Sequence, residues 1–439
     1  MGAPLYEALR ALADRRPLRL DMPGHHGTPL PGGMPWPSHI DFTENGDTGD
    51  LYGGEPDAIQ AAEALWAEGL GFDSCLFLTG GSTQGIHAGL ALLAGCGSAA
   101  AVDRGSHRAV YHALALLDLD PVFLPRPWLE EEGVAGPIDP LAVEEALRAR
   151  PDVKTVCITS PTYYGVLSDI PAIAAVCHAH GVKLMVDGAH GAHLPFLGYE
   201  GFRAADVVVM SAHKTLPAPG QSALLLANGF PLSALQRWGS VYGSSSPSYV
   251  LMAALDEARR YMEGEGAARY RETVRRTHAL RRRFPALRER EGLALDPARL
   301  TLSTPDGFAL ARALRERGAY PEMADAGHVV CILTCADGAA EFTRLEGALA
   351  DAGLTGPCPP IPAPPPSPAP EWNRPWGRWK RETVPLARSV GRIAAEQIAP
   401  YPPGVPVIAP GERIEKKHLA YLWEIGYNKA YCDVILGEE

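Results

Sequence analysis

Two charged side chains stand where apolar runs end. Val207-Val208-Val209-Met210 leads into Ser211-Ala212-His213-Lys214-Thr215, and the run from Val182 to Val186 ends at Asp187, followed by Gly188-Ala189-His190-Gly191-Ala192-His193. Runs of this kind read as buried β-strands. They deliver a carboxylate and a lysine at strand C-termini, the edge of an open α/β sheet where ligands bind. An unpaired charge is costly to bury, so packing alone does not account for either residue. A lysine amine forms a Schiff base with an aldehyde, and a carboxylate can hold a pyridinium nitrogen protonated. Together these meet the needs of pyridoxal phosphate, whose protonated ring is an electron sink. Lys214 is the candidate Schiff-base residue, and Asp187 the candidate partner of the ring nitrogen.

Other residues fit the same ligand. Thr79-Gly80-Gly81-Ser82-Thr83-Gln84-Gly85 joins a predicted strand to a predicted helix. Its glycines let backbone amides approach an anion, the helix N-terminus adds positive potential, and Ser82 and Thr83 add hydroxyl donors. This suits one phosphate monoester; the lysine of a Walker loop and the spacing of a dinucleotide fingerprint are missing. Taken alone, the segment could equally be an ordinary helix cap. Ser106-His107-Arg108 follows the next strand, and His107 either stacks on a flat ring or merely begins a helix. Ser211 and His213 flank Lys214 and would lie near the phosphate. His190 and His193, three residues apart, have a metal site as their rival reading, but no Cys or Glu accompanies them at useful spacing.

These residues need a scaffold. Residues 1–20 open as an amphipathic helix with Leu5, Leu9 and Leu12 in one stripe, and 21–50 form an arm rich in Gly, Pro and His. A helix is predicted from Pro56 to Leu70, with proline in its first turn and Gly69 as its stop. Strands are then predicted at 75–78, 99–102, 121–124, 153–159, 182–186 and 207–210, and helices at 84–93, 107–117, 139–149 and 171–180. Residues 222–227 add an antiparallel strand. This alternation implies an α/β protein with a mainly parallel sheet covered on both faces. A long helix spans 248–284 with one or two breaks. Its basic second half (Arg271, Arg275, Arg276, Arg281, Arg282, Arg283) reads as a solvated face. A β-α-β-α pattern at 299–303, 307–317, 329–334 and 341–350 predicts a small α+β domain. Nine prolines between Gly356 and Pro370 mark an extended linker. The tail is expected to hold one short helix over 385–396. The boundaries are 1–50 for helix and arm, 51–290 for the large domain, 291–356 for the small domain, 357–372 for the linker and 373–439 for the C-terminal domain.

Composition narrows the partners. The 439 residues carry a net charge of −11, with 46% hydrophobic and 21% charged residues. That is a globular profile and argues against nucleic acid or an anionic membrane surface as partner. No stretch approaches the roughly 20 apolar residues of a membrane span. The first 20 residues lack the continuous apolar core of a signal peptide, so the cytoplasm is the expected compartment. The eight cysteines form no Cys-x-x-Cys pair and read as reduced, mostly buried thiols; Cys331 and Cys335 are expected on one face of a strand.

With these segments in place, the chain resembles the Orn/Lys/Arg decarboxylases, pyridoxal phosphate enzymes of the aspartate-aminotransferase fold (fold type I). The resemblance runs over nearly the whole chain. Its marks are the segment 21–27, Thr43-Glu44, Gly49-Asp50-Leu51, Phe77 to Ile86, Ser106-His107-Arg108, Ser160 to Gly165, Asp187 to His193, Ser211 to Lys214 and Ser246-Pro247-Ser248-Tyr249. In the tail the marks are Val390 to Ala395, the segment 400–406 and Pro410-Gly411-Glu412, the part most specific to this family. The resemblance implies a seven-stranded sheet, a small α+β domain and a tail domain, with cofactor pyridoxal 5'-phosphate. It implies Lys214 as Schiff-base lysine, Asp187 at the ring nitrogen, His107 stacked on the ring, and His190 beside the ring and its phenolic oxygen. Ser82, Thr83, Ser211 and His213 would hold the phosphate. Ser246 would reach the phosphate from a neighbouring subunit, making the active unit a homodimer or larger. Glu382 would meet the substrate's distal cation. The implied activity is loss of carbon dioxide from lysine, arginine or ornithine, giving an amine used in polyamine biosynthesis. Two alternatives are another fold-type-I reaction (transamination or β-elimination) and a non-catalytic regulator that binds the cofactor. The chain departs from the family at His26, where lysine is more usual, and at Gly188, where glutamate is frequent. It resembles the short form, without a receiver-like wing.

Overall fold

Alternating apolar runs and capped helices build the sheet that carries these residues. The computed structural model describes residues 2–15, 19, 28–29, 35–53, 56–354, 363–365, 379–400 and 406–436. The arm motif 21–27, most of the proline-rich linker and residues 401–405 lie outside them. Seven strands form the main sheet: β1 (Ser74–Leu78), β2 (Ala99–Asp103), β3 (Asp120–Leu124), β4 (Val153–Thr159), β5 (Lys183–Asp187), β6 (Val207–Met210) and β7 (Ala223–Ala227). Their order is β1-β7-β6-β5-β4-β2-β3. β7 is antiparallel to both β1 and β6, whereas β2 is parallel to β3 and β4, and β5 to β6. The mainly parallel α/β sheet expected from the sequence is therefore present.

The chain divides into two compact units, Met1–Leu92 with Met185–Arg271, and Leu93–Leu184 with Glu272–Glu439. In the first, α1 (Pro4–Asp14) buries Leu5 and Leu9, and α2 (Ala58–Leu70) buries Ile59, Ala62 and Trp66. Pro56 is not in the first turn of α2. Asp57 caps it instead, accepting from the N–H groups of Ile59 and Gln60, because its carboxylate satisfies first-turn amides that a proline side chain cannot. The helix runs through Gly69 and stops at Gly71, whose φ of 75° only glycine adopts cheaply. α3 (Gly81–Ala94) starts three residues earlier than the predicted 84. The long helix is α9 (Tyr249–Tyr261) and α10 (Ala267–Arg283), broken by a π turn with non-helical Gly264. α8 (Leu232–Tyr242) was not predicted; Leu235, Gln236 and Gly239 are its buried residues, too few for a periodic signal.

In the second unit, α4 (Arg108–Leu116) begins one residue after His107, while α5 (Pro140–Ala149) and α6 (Ile170–Ala179) are capped by Asp139 and Asp169. Of the basic stretch, Arg275 and Arg276 lie on the solvated side beside Glu272. Arg281 does not: it is 6% exposed and donates to the carbonyls of Asp296 and Arg299. The small core contains Leu300, Leu302, Leu310, Val329 and Leu349. It is built on β8 (Arg299–Ser303), β9 (Met323–Ala324) and β10 (His328–Ile332) with α11 (Gly307–Glu316) and α12 (Ala339–Asp351). β10 ends before Cys335, so Cys331 and Cys335 do not share a strand; Cys96 is exposed while the other described cysteines are buried. The predicted helix over 385–396 is replaced by a strand end and irregular chain. β11 (Arg381–Pro385) pairs with β12 (Tyr431–Ile435), Gly391 takes a φ of 86°, and Ile393 and Ala394 bridge to Arg413 and Val434. Long-range pairing wins over local helix preference there. The tail helix is instead α13 (Lys416–Glu424), which buries Leu419 and Leu422 in a separate tail core.

Glu63 on α2 gives the first unit a measurable signature. It is 1% exposed, one oxygen accepts from Phe77 N–H at 2.8 Å, and the other has no partner among the described residues. Burial pushes its carboxyl well above the ordinary range, with the charge of Asp57 adding to the effect. A raised carboxyl pKa gives stability that is full below the unfolded-state value and lost as pH rises through the folded one. Glu63→Gln keeps an acceptor for Phe77 but cannot ionise. Its unfolding free energy should gain on the wild type as pH rises above the ordinary glutamate range, by up to roughly 1–3 kcal/mol. Parallel stability curves above that range would show that Glu63 is not a buried neutral acid.

Candidate active site

Register brings three loops of the first unit to one sheet edge. Leu78 is opposite Ala223 and Leu224 opposite Met210. Asp187 is opposite Val209. The segments leaving β1, β5 and β6 thus depart from the same edge. After exposed Lys183, β5 is buried to its last residue, Asp187, and all four residues of β6 are apolar and buried, so the segments that follow begin at the rim of a buried sheet.

Asp187 is the last residue of β5 and 3% exposed; one of its oxygens accepts from Ala189 N–H at 3.2 Å. His190, 6% exposed, turns back from the next loop, and its Nε2 lies 3.2 Å from Lys214 Nζ. An ammonium only donates, so when Lys214 is charged that nitrogen of His190 carries no proton. Lys214 sits in a single helical turn, α7 (Ala212–Thr215), opened by Ser211. His213 Nδ1 lies 3.0 Å from the Ser222 carbonyl, which only accepts, so Nδ1 holds the proton. Tyr270 supports the turn from below, donating to the Thr215 carbonyl, and stacks on His193 at 4.9 Å between ring centroids. Among the described residues no three His, Cys, Asp or Glu side chains gather as a metal-ligating group.

The phosphate candidates have a frame of their own. Gly81 has a φ of 73° and opens α3, which leaves the first amides of that helix without intrahelical acceptors. Gln84 staples the turn: its Oε1 accepts from Gly80 N–H at 2.9 Å, and its Nε2 donates to the Tyr52 hydroxyl and the Gly239 carbonyl. Ser82 is half-buried and Thr83 exposed in this first turn. Ser211 Oγ is fully buried and has no partner among the described residues. A buried hydroxyl without a partner is costly unless a ligand completes it. Helix-terminal amides, hydroxyls, an imidazole, a lysine and a buried carboxylate together fit pyridoxal phosphate. Ser246 is exposed in the turn before α9, its N–H held by Ser244 Oγ at 3.1 Å.

Two predicted site residues belong to the second unit. His107 is the cap of α4, its Nδ1 accepting from Ala109 N–H at 3.2 Å, and it borders a cavity of about 270 Å³ with Arg108, Glu396 and Lys429. Glu382 lies on β11, about half exposed, with its carboxylate 3.0 Å from Arg392. The sequence reading assigned no role to two ion pairs near His107. Asp103, fully buried, is gripped by Arg126 Nη2 at 2.6 Å and also accepts from the Gly105 and Thr159 amides. Arg104 pairs with Glu412, which is 308 positions away. A charged residue after a strand was the only available signal, and nothing local names its partner.

Gly85 sets how close α3 sits to the sheet. A Cβ there would stand 2.6 Å from Leu78 Cδ1 and 2.9 Å from Val209 Cγ1. Gly85→Ala should therefore lift α3 off β1 and β6, costing about 1–3 kcal/mol in denaturant unfolding and weakening cofactor retention. Wild-type values for both would mean that this close contact is not needed.

The Orn/Lys/Arg decarboxylase major-domain model matches residues 3–304, and the Orn/Lys/Arg decarboxylase C-terminal-domain model matches 368–428. The uncharacterized protein YaaO of Bacillus subtilis is 31% identical over 96% of this chain and 94% of its own. An arginine decarboxylase of Halalkalibacterium halodurans is 30% identical over 96% of this chain and 93% of its own. The lysine decarboxylase LdcF of Francisella novicida superposes with a TM-score of 0.83, covering 99% of this chain and 81% of that one, at 20% identity. At that identity the likeness is one of fold.

Proposed function

The chain belongs to the Orn/Lys/Arg decarboxylase family, pyridoxal phosphate-dependent carboxy-lyases of amino acids, and we propose that its substrate is basic: arginine, lysine or ornithine. The product is then agmatine or a diamine. The observation that carries the reading is Lys214 Nζ against His190 Nε2, at the sheet edge where Asp187 ends its strand. When bound, pyridoxal phosphate supplies an aldehyde carbon that takes up amines and a protonated ring that accepts the electrons of the broken carbon–carbon bond.

The chain's own residues do the rest. Lys214 would hold the cofactor and give up that bond to the substrate amine. The Asp187 carboxylate, shielded from water, would favour a proton on the ring nitrogen. Ser82, Thr83, Ser211 and His213 would hold the phosphate, and His107 would stack on the ring. Departure of carbon dioxide leaves a carbon that needs one proton, and Lys214 or His190 donates it. Ser246 contributes to the phosphate site from a second copy of the chain; its exposed turn supports that role. The names of the relatives support a basic side chain. Glu382 is a candidate contact for the distal cation, and the cation must then displace Arg392 from it.

Lys214→Ala should remove the visible absorbance of the bound cofactor and lower kcat on the order of 10³-fold or more. Full activity in that variant would end the assignment. Asp187→Ala should lose far more rate than cofactor affinity; equal losses would count against the ring-nitrogen role. Incubation with arginine, lysine and ornithine separately, following carbon dioxide and amine, tests the substrate. Release of keto acid in place of amine would instead indicate transamination.

A further inference from the structure

The clamp between Arg104 and Glu412 has no part in the reaction as described so far. Arg104 lies three residues before His107, in the loop that leaves β2. Its Nε and Nη2 donate to the two oxygens of Glu412 at 3.1 and 2.7 Å. Its Nη1 donates to the Pro406 carbonyl at 2.7 Å and its Nη2 to the Val407 carbonyl at 3.0 Å. Glu412 is 1% exposed, and its Oε2 also accepts from Ala409 N–H at 2.8 Å. A planar guanidinium binding a carboxylate through two bonds fixes direction as well as distance.

The clamp holds the loop at Arg104, and Arg126 holds the preceding residue, Asp103. The Tyr111 hydroxyl donates to the Arg104 carbonyl at 2.7 Å and ties the loop to α4. The ring of His107 has little freedom, because its Nδ1 is committed to the Ala109 amide. The cavity it borders takes one wall from α4 and another from tail residues Glu396, Gln397 and Lys429. The tail wall is held in turn: Lys429 Nζ donates to Glu396 Oε1 at 2.7 Å, and so does Asp433 N–H at 3.0 Å. The tail is therefore fastened to the same short loop that presents His107.

We propose that Arg104 and Glu412 are a positioning pair: their ion pair docks the tail domain onto the loop of His107 and thereby fixes both the ring of His107 and the tail wall of its cavity. This rests on the reading of His107 as the residue that stacks on the cofactor ring. Neither member of the pair touches the reacting atoms. They act through His107, so their loss shows as misplacement rather than as a missing chemical group.

The test uses the full-length holoenzyme with Glu412→Gln and Arg104→Lys, each alone and combined with His107→Ala. Each single variant of the pair should melt cooperatively and keep cofactor, while kcat falls roughly 10- to 100-fold and the visible circular dichroism of the bound cofactor changes. In the His107→Ala background, which has no ring left to place, the same substitutions should change kcat by less than about twofold, because the effect has lost its target. Wild-type kcat and dichroism in Glu412→Gln would overturn the proposal, and so would losses that multiply in full with His107→Ala. If His107→Ala itself changes nothing, the stacking role falls and the proposal with it; the multiplying result sinks the pair alone. Should Glu412→Gln not fold, Arg104→Lys decides, since it keeps the charge and loses only the two-bond geometry. Failure of both to fold would make the pair a folding element and refute the positioning role.

Discussion

A carboxylate that is 3% exposed has given up most of its hydration, and the fold must return that energy through partners. Asp187 is placed in this position by the pairing of β5 with β6, where it stands opposite Val209. Successive side chains on a strand face opposite ways, so a slip of one residue would turn Asp187 to the other face of the sheet. The run of fully buried residues on both strands prevents this, because any slip would also misplace the apolar side chains on either side. Core packing thus fixes the register, and the register fixes the site.

The same economy governs the neighbouring strand end. Lys214 follows β6 within one helical turn, and its ammonium meets His190 rather than open solvent. Ser211 contributes a buried hydroxyl, and α3 lies close enough to β1 and β6 to offer its first amides at the same edge. The scaffold holds these donors in fixed positions, which is the condition for binding a ligand with little further ordering. Gln84 is part of this support, closing the turn that precedes α3 with three hydrogen bonds.

In the second unit the supporting charges are ion pairs that ordinary strand and helix rules do not anticipate. Asp103 is fully buried with Arg126, and Glu412 nearly so with Arg104. Breaking a buried pair leaves a stranded charge, which costs more than the pair contributes when whole. Such pairs make a loop specific in position, and here two of them hold adjacent residues, Asp103 and Arg104, where the four-residue loop leaves β2. The tail core, with Ile398, Ile408, Leu419 and Val434, gives the far end of the Arg104 clamp a rigid base.

The sheet, the places of Lys214 and Asp187 at its strand ends and the glycine turn before α3 were legible because each rests on a local pattern: an apolar run, a charge at its end, a glycine where a helix begins. Family resemblance added His107, the serines and the tail motifs. Helix starts were misjudged where a cap overrode a proline, as at Asp57, and the tail helix was misplaced because pairing of β11 with β12 outweighed local preference. Arg281 looked solvated among its basic neighbours, yet two carbonyls bury it. The amino-acid order alone determined which elements form and which side chains end them, since both follow from interactions a few residues apart. Only the tertiary structure decided that His190 meets Lys214, that Arg104 meets Glu412 and that Ser211 Oγ is buried with no partner among the described residues. Those contacts join segments whose separation along the chain carries no signal, and they exist only once the strands are in register.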